Sequence, residues 1–157
     1  MAYPEKLYSV VGETGNTLNT VFVGTGSISQ LGTTIVSGST YQTIASYTYA
    51  PQLEYSKIIV EYNSQYYISG SGNDSWYANV TVDGVEVSQT YLNLVSGSGN
   101  FGAARTGNLF PIVGAYDNST TLHKTILVRV KRGTSDDNLE VYGNVGTSLK
   151  ITEIGVQ

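Results

Sequence analysis

Apolar and polar positions alternate with a period of two along much of the chain, most clearly at Ile58/Val60/Tyr62 and at Ile126/Val128/Val130. In an extended strand this spacing puts the apolar side chains on one face, so both triplets are assigned to a core, while Arg129 and Lys131 point outward. Runs of the same kind, each closed by Gly, Asn, Ser or Pro, predict strands over residues 18–23, 33–36, 41–49, 57–68, 75–82, 85–94, 125–131, 139–142 and 149–156. No segment keeps a helical period. Closely spaced strands with turn residues between them predict an all-β fold, an antiparallel β-sandwich or jelly roll, rather than an α/β enzyme.

The run Ser75-Trp76-Tyr77-Ala78-Asn79-Val80-Thr81-Val82-Asp83-Gly84-Val85-Glu86-Val87 folds naturally at Asp83-Gly84, the signature of a two-residue hairpin loop. Val82 then faces Val85 and Val80 faces Val87. Trp76, Ala78, Val80 and Val82 share the buried side; Tyr77, Asn79 and Thr81 share the other, with Glu86 opposite Thr81. Asp83 tolerates positive φ, and Gly84 adopts it without a Cβ clash, so the pair is read as a structural turn and not as a catalytic acid.

Pro51 ends one strand and redirects the chain into the next. Alternation is weaker over residues 1–35, which predicts an extended N-terminal arm or added strand ahead of a sandwich over residues 36–157. The arm's short apolar runs, represented by Leu7, Tyr8, Val10 and Val11 and by Val21, Phe22 and Val23, are too brief to form a core alone. They suit addition to a neighbour's sheet edge, where main-chain hydrogen bonds supply affinity.

Composition narrows the function. The chain has 157 residues, enough for one domain with a proper core, and a net charge of −4, which leaves no basic footprint for nucleic acid or an anionic membrane. The stretch Arg129-Val130-Lys131-Arg132 is read as a solvated strand edge. Charged residues make up only 13% of the chain while tyrosine occurs 13 times, more often than a core requires, and a ring with a polar tip suits an interface. There is no cysteine for a disulfide or thiolate metal site, and neither a signal core nor a membrane-length apolar run occurs, so a soluble chain made in a cytosol is expected. The sequons at Asn73, Asn79 and Asn118 are then incidental.

Candidate chemistry is thin. Gly97-Ser98-Gly99-Asn100-Phe101-Gly102 fits G-x-G-x-x-G but lacks the strand-to-helix context of a nucleotide site, and reads as a loop. His123 is the only histidine, which leaves little for a His-cluster metal site or a His-based triad. The loops Ser135-Asp136-Asp137-Asn138 and Gly72-Asn73-Asp74-Ser75 offer oxygens for calcium without EF-hand spacing; Asx turns account for both. Glu54, Glu61, Asp74, Asp83, Glu86, Asp117, Asp136, Asp137, Glu140 and Glu153 scatter among turns and outer faces, and no pair stands out as a glycosidase dyad. No catalytic residue, metal or cofactor is assigned, and the protein is expected not to be an enzyme.

The order of "YQTIASYTYAP", "SKIIVEYNSQYYISGSGNDSWYANVTVDGVEV", "TILVRVKRG" and "GTSLKITEIGVQ" resembles the jelly-roll domains of bacteriophage fibres and accessory virion proteins, cyanophage examples included, over residues 40–157. The resemblance implies a non-enzymatic virion structural protein, usually homotrimeric. Two roles follow from it: a capsid decoration or cement protein on the outside of the head, bound to the major capsid protein or other virion proteins, or a tail-fibre tip that recognises a host surface glycan or protein. Family fibres carry a long shaft or tail-attachment region, and the short stretch ahead of this domain favours decoration.

Overall fold

The computed structural model describes residues 6–11, 17–23, 29–30, 34–68, 74–94, 105–133, 139–142 and 147–155. Among these there is no helix. Strands β1 (Lys6–Val11), β2 (Thr17–Val23), β3 (Ser29–Gln30), β4 (Thr34–Val36), β5 (Gln42–Tyr49), β6 (Ser56–Ile68), β7 (Asp74–Val82), β8 (Val85–Leu94), β9 (Arg105–Asn118), β10 (Lys124–Arg132), β11 (Leu139–Tyr142) and β12 (Ser148–Gly155) form two antiparallel sheets. Sheet B runs β3-β5-β10-β7-β8. In sheet A, β6 carries β9 on one edge; its other edge is shared end to end by β12, which continues to β2 and β1, and by β11, which continues to β4. From β4 to β7 and again from β8 to β11 the chain switches sheets at every step, the connectivity of a jelly-roll-type sandwich.

The core lies between the sheets. Ile58, Val60 and Tyr62 from β6 and Leu149 and Ile151 from β12 face Trp76, Val80 and Val82 from β7 and Ile126, Val128 and Val130 from β10, all of them buried. Burial pushes the Tyr62 phenol up to about 12; the nearby Ser64 hydroxyl offsets a little of this, although the two oxygens are not in hydrogen-bond geometry.

The N-terminal segment is an intramolecular hairpin. Leu7 pairs with Val21, Tyr8 with Thr20, Val10 with Leu18 and Val11 with Thr17, and β2 in turn pairs with β12 through Val21–Ile151, Phe22–Lys150 and Val23–Leu149. The backbone expected to reach a neighbour is thus added to its own sheet, with β1 at the edge.

One long strand, β9, is absent from the sequence reading. Pro111 and Gly107 and Gly114 argue against a strand locally, but tertiary context absorbs them. Tyr62 pairs with Ile112 and Ser64 with Leu109, so Phe110 and Pro111 together oppose Asn63 in a bulge, a position where proline is tolerated. Gly114 is required by contact between sheets: a Cβ there would stand 2.7 Å from Val87 Cγ2, 3.0 Å from Ser88 Cβ and 3.1 Å from the Val87 carbonyl oxygen.

The end of the sandwich that carries the Asp83-Gly84 turn is held by polar contacts, exposed at the turn and buried around Glu153. Asp83 (φ 49°) and Gly84 (φ 81°) both occupy the left-handed region. The Asp83 amide donates to the Thr125 carbonyl at 2.9 Å, its Oδ1 accepts from the Thr125 amide at 2.8 Å, and its Oδ2 meets Lys124 Nζ at 3.3 Å. Beside it, fully buried Glu153 accepts from Tyr49 Oη (2.7 Å), the Gln52 amide (2.8 Å), the Leu53 amide (3.1 Å) and Ser56 Oγ (2.7 Å). Both carboxylate oxygens are satisfied, and the loop after Pro51 is pinned to β12. Burial, then the hydrogen bond to Glu153 and its charge, push the Tyr49 phenol well above the ordinary tyrosine value.

Candidate functional site

The outer face of sheet B is built from rows of residues that cross three or four strands. In one row Tyr91 of β8 pairs with Tyr77 of β7, which pairs with Lys131 of β10. In the next, Gln89 pairs with Asn79, Asn79 with Arg129, and Arg129 with Thr43 of β5. Period-two alternation sends Tyr77, Asn79, Arg129 and Lys131 outward because their neighbours Ala78, Val80, Val128 and Val130 are buried in the core.

Alternation alone would not bring Tyr91, Gln89 or Tyr41 here. Two bulges do. On β8, Val82 faces Val85 and Thr81 faces Glu86, but Val80 faces Ser88 and not Val87, so Val87 is an extra residue. The expected Val80–Val87 pair is therefore corrected: both Val87 and Ser88 turn inward against Gly114, and every later residue of β8 changes face. Tyr91, which an unbroken register would set opposite Trp76, comes to lie opposite Tyr77. On β5, Val128 faces Ala45 and Arg129 faces Thr43, which leaves Ile44 as the extra residue. Ile44 and Ala45 are both buried, and Tyr41, just ahead of β5, is returned to the outer face.

The result is a joined cluster of rings and cations. The Tyr77 and Tyr91 ring centroids are 5.0 Å apart at 46°. Lys131 Nζ lies between two rings, 4.5 Å from the Tyr41 centroid and 5.2 Å from that of Tyr77, and Arg129 Cζ lies 5.2 Å from Tyr41. Gln89 Nε2 donates to Tyr41 Oη at 2.9 Å. Asn79 is fully buried beneath them; its Nδ2 donates to Glu86 Oε2, which directs its Oδ1 towards Arg129 Nε at 3.1 Å. Tyr91 stays 52% exposed, so the face offers ring surface to solvent as well as donors and acceptors.

This arrangement corrects the reading of Arg129-Val130-Lys131-Arg132 as a strand edge. β10 is an interior strand between β5 and β7, and its two outward cations sit in the middle of a face. The other candidates fall elsewhere. Asp83 is engaged in its turn, Glu61 pairs with Lys150 (2.6 Å), Asp117 pairs with Lys57 (3.0 Å), and Glu54 is exposed. His123 is exposed in the turn before β10. Among the described residues no three His, Cys, Asp or Glu side chains gather as a metal site. The Gly97–Gly102 motif and the loop 135–138 lie outside the described residues, as do Gly72 and Asn73. Asn79 and Asn118 of the sequons are buried and hydrogen-bonded, Asn118 Nδ2 donating to the Leu53 carbonyl at 2.9 Å and to Ser56 Oγ at 3.1 Å.

The sequence matches no protein-family model and no curated protein. Among solved structures, it is similar to the CBM36-1 domain of a multidomain xylanase from the hindgut metagenome of Trinervitermes trinervoides. That alignment has 14% identity and a TM-score of 0.43 and covers 85% of this chain and 96% of that one. It is also similar to dimeric latent PorU from Porphyromonas gingivalis, with 8% identity and a TM-score of 0.43, over 98% of this chain and 13% of that protein. At this level of likeness neither bears on what the chain binds.

Proposed function

We propose that this protein is a non-enzymatic virion surface domain whose working surface is the tyrosine face of sheet B, used to hold a glycan of the host surface. The observation that carries the reading is the Tyr91–Tyr77–Lys131–Tyr41 cluster with Gln89 and Arg129 beside it. A sugar ring presents an apolar C–H face and a rim of hydroxyls. Tyrosine rings match the first, and fixed amide, guanidinium and phenol groups match the second. Glu86, the carboxylate nearest these rings, accepts from Asn79, and Asp83, Glu61, Asp117 and Glu153 are engaged elsewhere, which supports a binding role for this face. The phage assignment and a homotrimeric state are supported by the sequence resemblance; light scattering at micromolar concentration tests the latter, a trimer being expected.

The test of function is binding of the labelled full chain to host cells, compared with Tyr77→Ala and Tyr91→Ala chains whose folding is confirmed by circular dichroism. Loss of cell binding with retained fold is expected. Undiminished binding by both variants overturns the reading. Tagged copies seen at the tail tip of virions agree with it, whereas tags spread over the head favour the decoration role, with the shell as partner.

A further inference from the structure

We infer that the glycan held by the sheet B face is acidic, a carboxylate-bearing sugar chain such as a polyuronate or a sialylated oligosaccharide; this rests on the glycan-binding reading above. The cations of this face differ from the others in keeping an unneutralised charge. Lys57, Lys150 and Lys124 each meet a carboxylate, at 3.0, 2.6 and 3.3 Å. Lys131 and Arg129 meet none among the described residues. Their neighbours are rings and an amide: Tyr41 and Tyr77 around Lys131, Tyr41 and Asn79 around Arg129. A ring attracts a cation without neutralising it, so the formal charge remains available to an incoming anion.

Geometry sharpens this. The Asn79 amide is oriented by Glu86 and takes Arg129 through Nε, which fixes the guanidinium plane and leaves its terminal N–H groups without a protein partner among the described residues. A planar fork held this way suits a carboxylate, which can accept two parallel hydrogen bonds. Among the described residues Glu86 is the one carboxylate tied into this cluster; it accepts from Asn79 and pairs with neither cation. Two cations against one carboxylate give the patch a local excess of positive charge on a chain whose net charge is −4. Tyr77 and Tyr91 lie beside Lys131 in the same row, so a sugar ring stacked on them brings an attached carboxylate over the two cations.

The experiment uses the full chain on a printed panel of galacturonate, glucuronate, mannuronate and sialyl oligosaccharides alongside neutral glucan, mannan and galactan oligomers of equal length. Binding confined to acidic members is expected. It should weaken about tenfold or more in Lys131→Ala, the loss of one charge-assisted contact, and similarly in the milder Lys131→Gln. It should also fall as salt rises from about 50 to about 500 mM. Lys150→Ala, on the opposite sheet, should bind as the parent does. Equal binding of neutral and acidic members, or unchanged binding in both Lys131 variants, overturns the acidic ligand while the glycan reading survives. Binding to no member of the panel overturns both. A change of oligomeric state in Tyr77→Ala, together with no sugar binding, assigns the face instead to contact between copies of this chain.

Discussion

Lys57 and Lys150 on the outer face of sheet A and Lys131 on the outer face of sheet B share a setting, one strand residue facing a cross-strand neighbour. What differs is the neighbour. Lys57 faces Asp117 and Lys150 faces Glu61, each in an ion pair, whereas Lys131 faces Tyr77 and lies under Tyr41. The stabilities at stake are similar: exposed ion pairs contribute about 0–1 kcal/mol and exposed cation–π contacts about 0.5–1 kcal/mol. The difference lies in what is left over. The two sheet A pairs end electrically neutral; the outer face of sheet B holds Lys131 and Arg129 in place and keeps their charge. Stability should therefore follow the compensated charges, and binding the uncompensated ones.

The largest effect expected concerns the most fully hydrogen-bonded carboxylate. Glu153→Ala leaves the Tyr49 and Ser56 hydroxyls and the Gln52 and Leu53 amides without their acceptor inside the fold. A loss of about 3–5 kcal/mol is expected in urea unfolding. Glu153→Gln keeps the shape but turns an amide donor towards donors, and should cost less. In both variants the surviving folded fraction should still bind through sheet B. Loss of binding out of proportion to unfolding would break the separation between the two faces.

Gly114→Val tests the one place where that separation is expected to fail. The new side chain would strike the Val87–Ser88 bulge, which is also what turns Gln89 and Tyr91 outward. Overpacking of this kind costs about 1–3 kcal/mol. Binding should weaken beyond what partial unfolding explains, because the bulge must shift. Destabilisation with parental affinity at full folding would show that Tyr91 is held by its pairing with Tyr77 and not by the bulge.

The same bulge explains what could be read from sequence and what could not. Parity placed Tyr77, Asn79 and Thr81 on one face of their strand and Arg129 and Lys131 on the outer face of theirs, and the structure puts them together. Parity failed for Tyr91 and Tyr41 because Val87 and Ile44 each insert a residue, and no local signal in "VEVSQTY" or "YQTIASY" marks either insertion. The pairing of β10 with both β7 and β5 is non-local as well, so Lys131 could not be set beside Tyr77 from sequence order. β9 was missed for the same kind of reason: Pro111 is tolerated by a bulge and Gly114 demanded by a neighbour, and both depend on the assembled sandwich.

Inside sheet A, the Tyr62 phenol is the counterpart of the uncompensated cations, a polar group without a partner, but buried and neutral. Its folded value of about 12 stands above the unfolded value of about 10. Below about pH 10 both states keep the proton and stability is intact; above it the unfolded chain ionises first, and stability falls until about pH 12, by at most about 1.4 kcal/mol per pH unit for this group. Tyr62→Phe removes the hydroxyl at little or no cost near pH 7, since that oxygen has no hydrogen bond to lose. Urea unfolding at pH 7 and pH 11 should show a shallower alkaline loss in the variant. An equal loss in both would assign the alkaline sensitivity to Tyr49 and other groups.

The smallest stability effects carry the comparison itself. Lys150→Ala breaks an ion pair whose partners are about half to one-third exposed, and a change below about 1 kcal/mol is expected, shrinking further in salt. Lys131→Ala removes two ring contacts at a half-buried site and should cost a similar amount. By thermal unfolding the two variants should be hard to tell apart. Glu61→Ala separates them: it strands Lys150 with an unpaired charge on sheet A, and so creates on that face the condition that Lys131 already has on sheet B. If an unpaired cation alone were enough, Glu61→Ala would acquire affinity for acidic oligosaccharides through sheet A, measurable in a Lys131→Ala background. No such gain is expected, because Lys150 has Glu61 and Phe22 as its cross-strand neighbours, whereas Lys131 lies between the Tyr41 and Tyr77 rings. A gain in affinity would reduce the sheet B site to its charge and remove the rings from the argument.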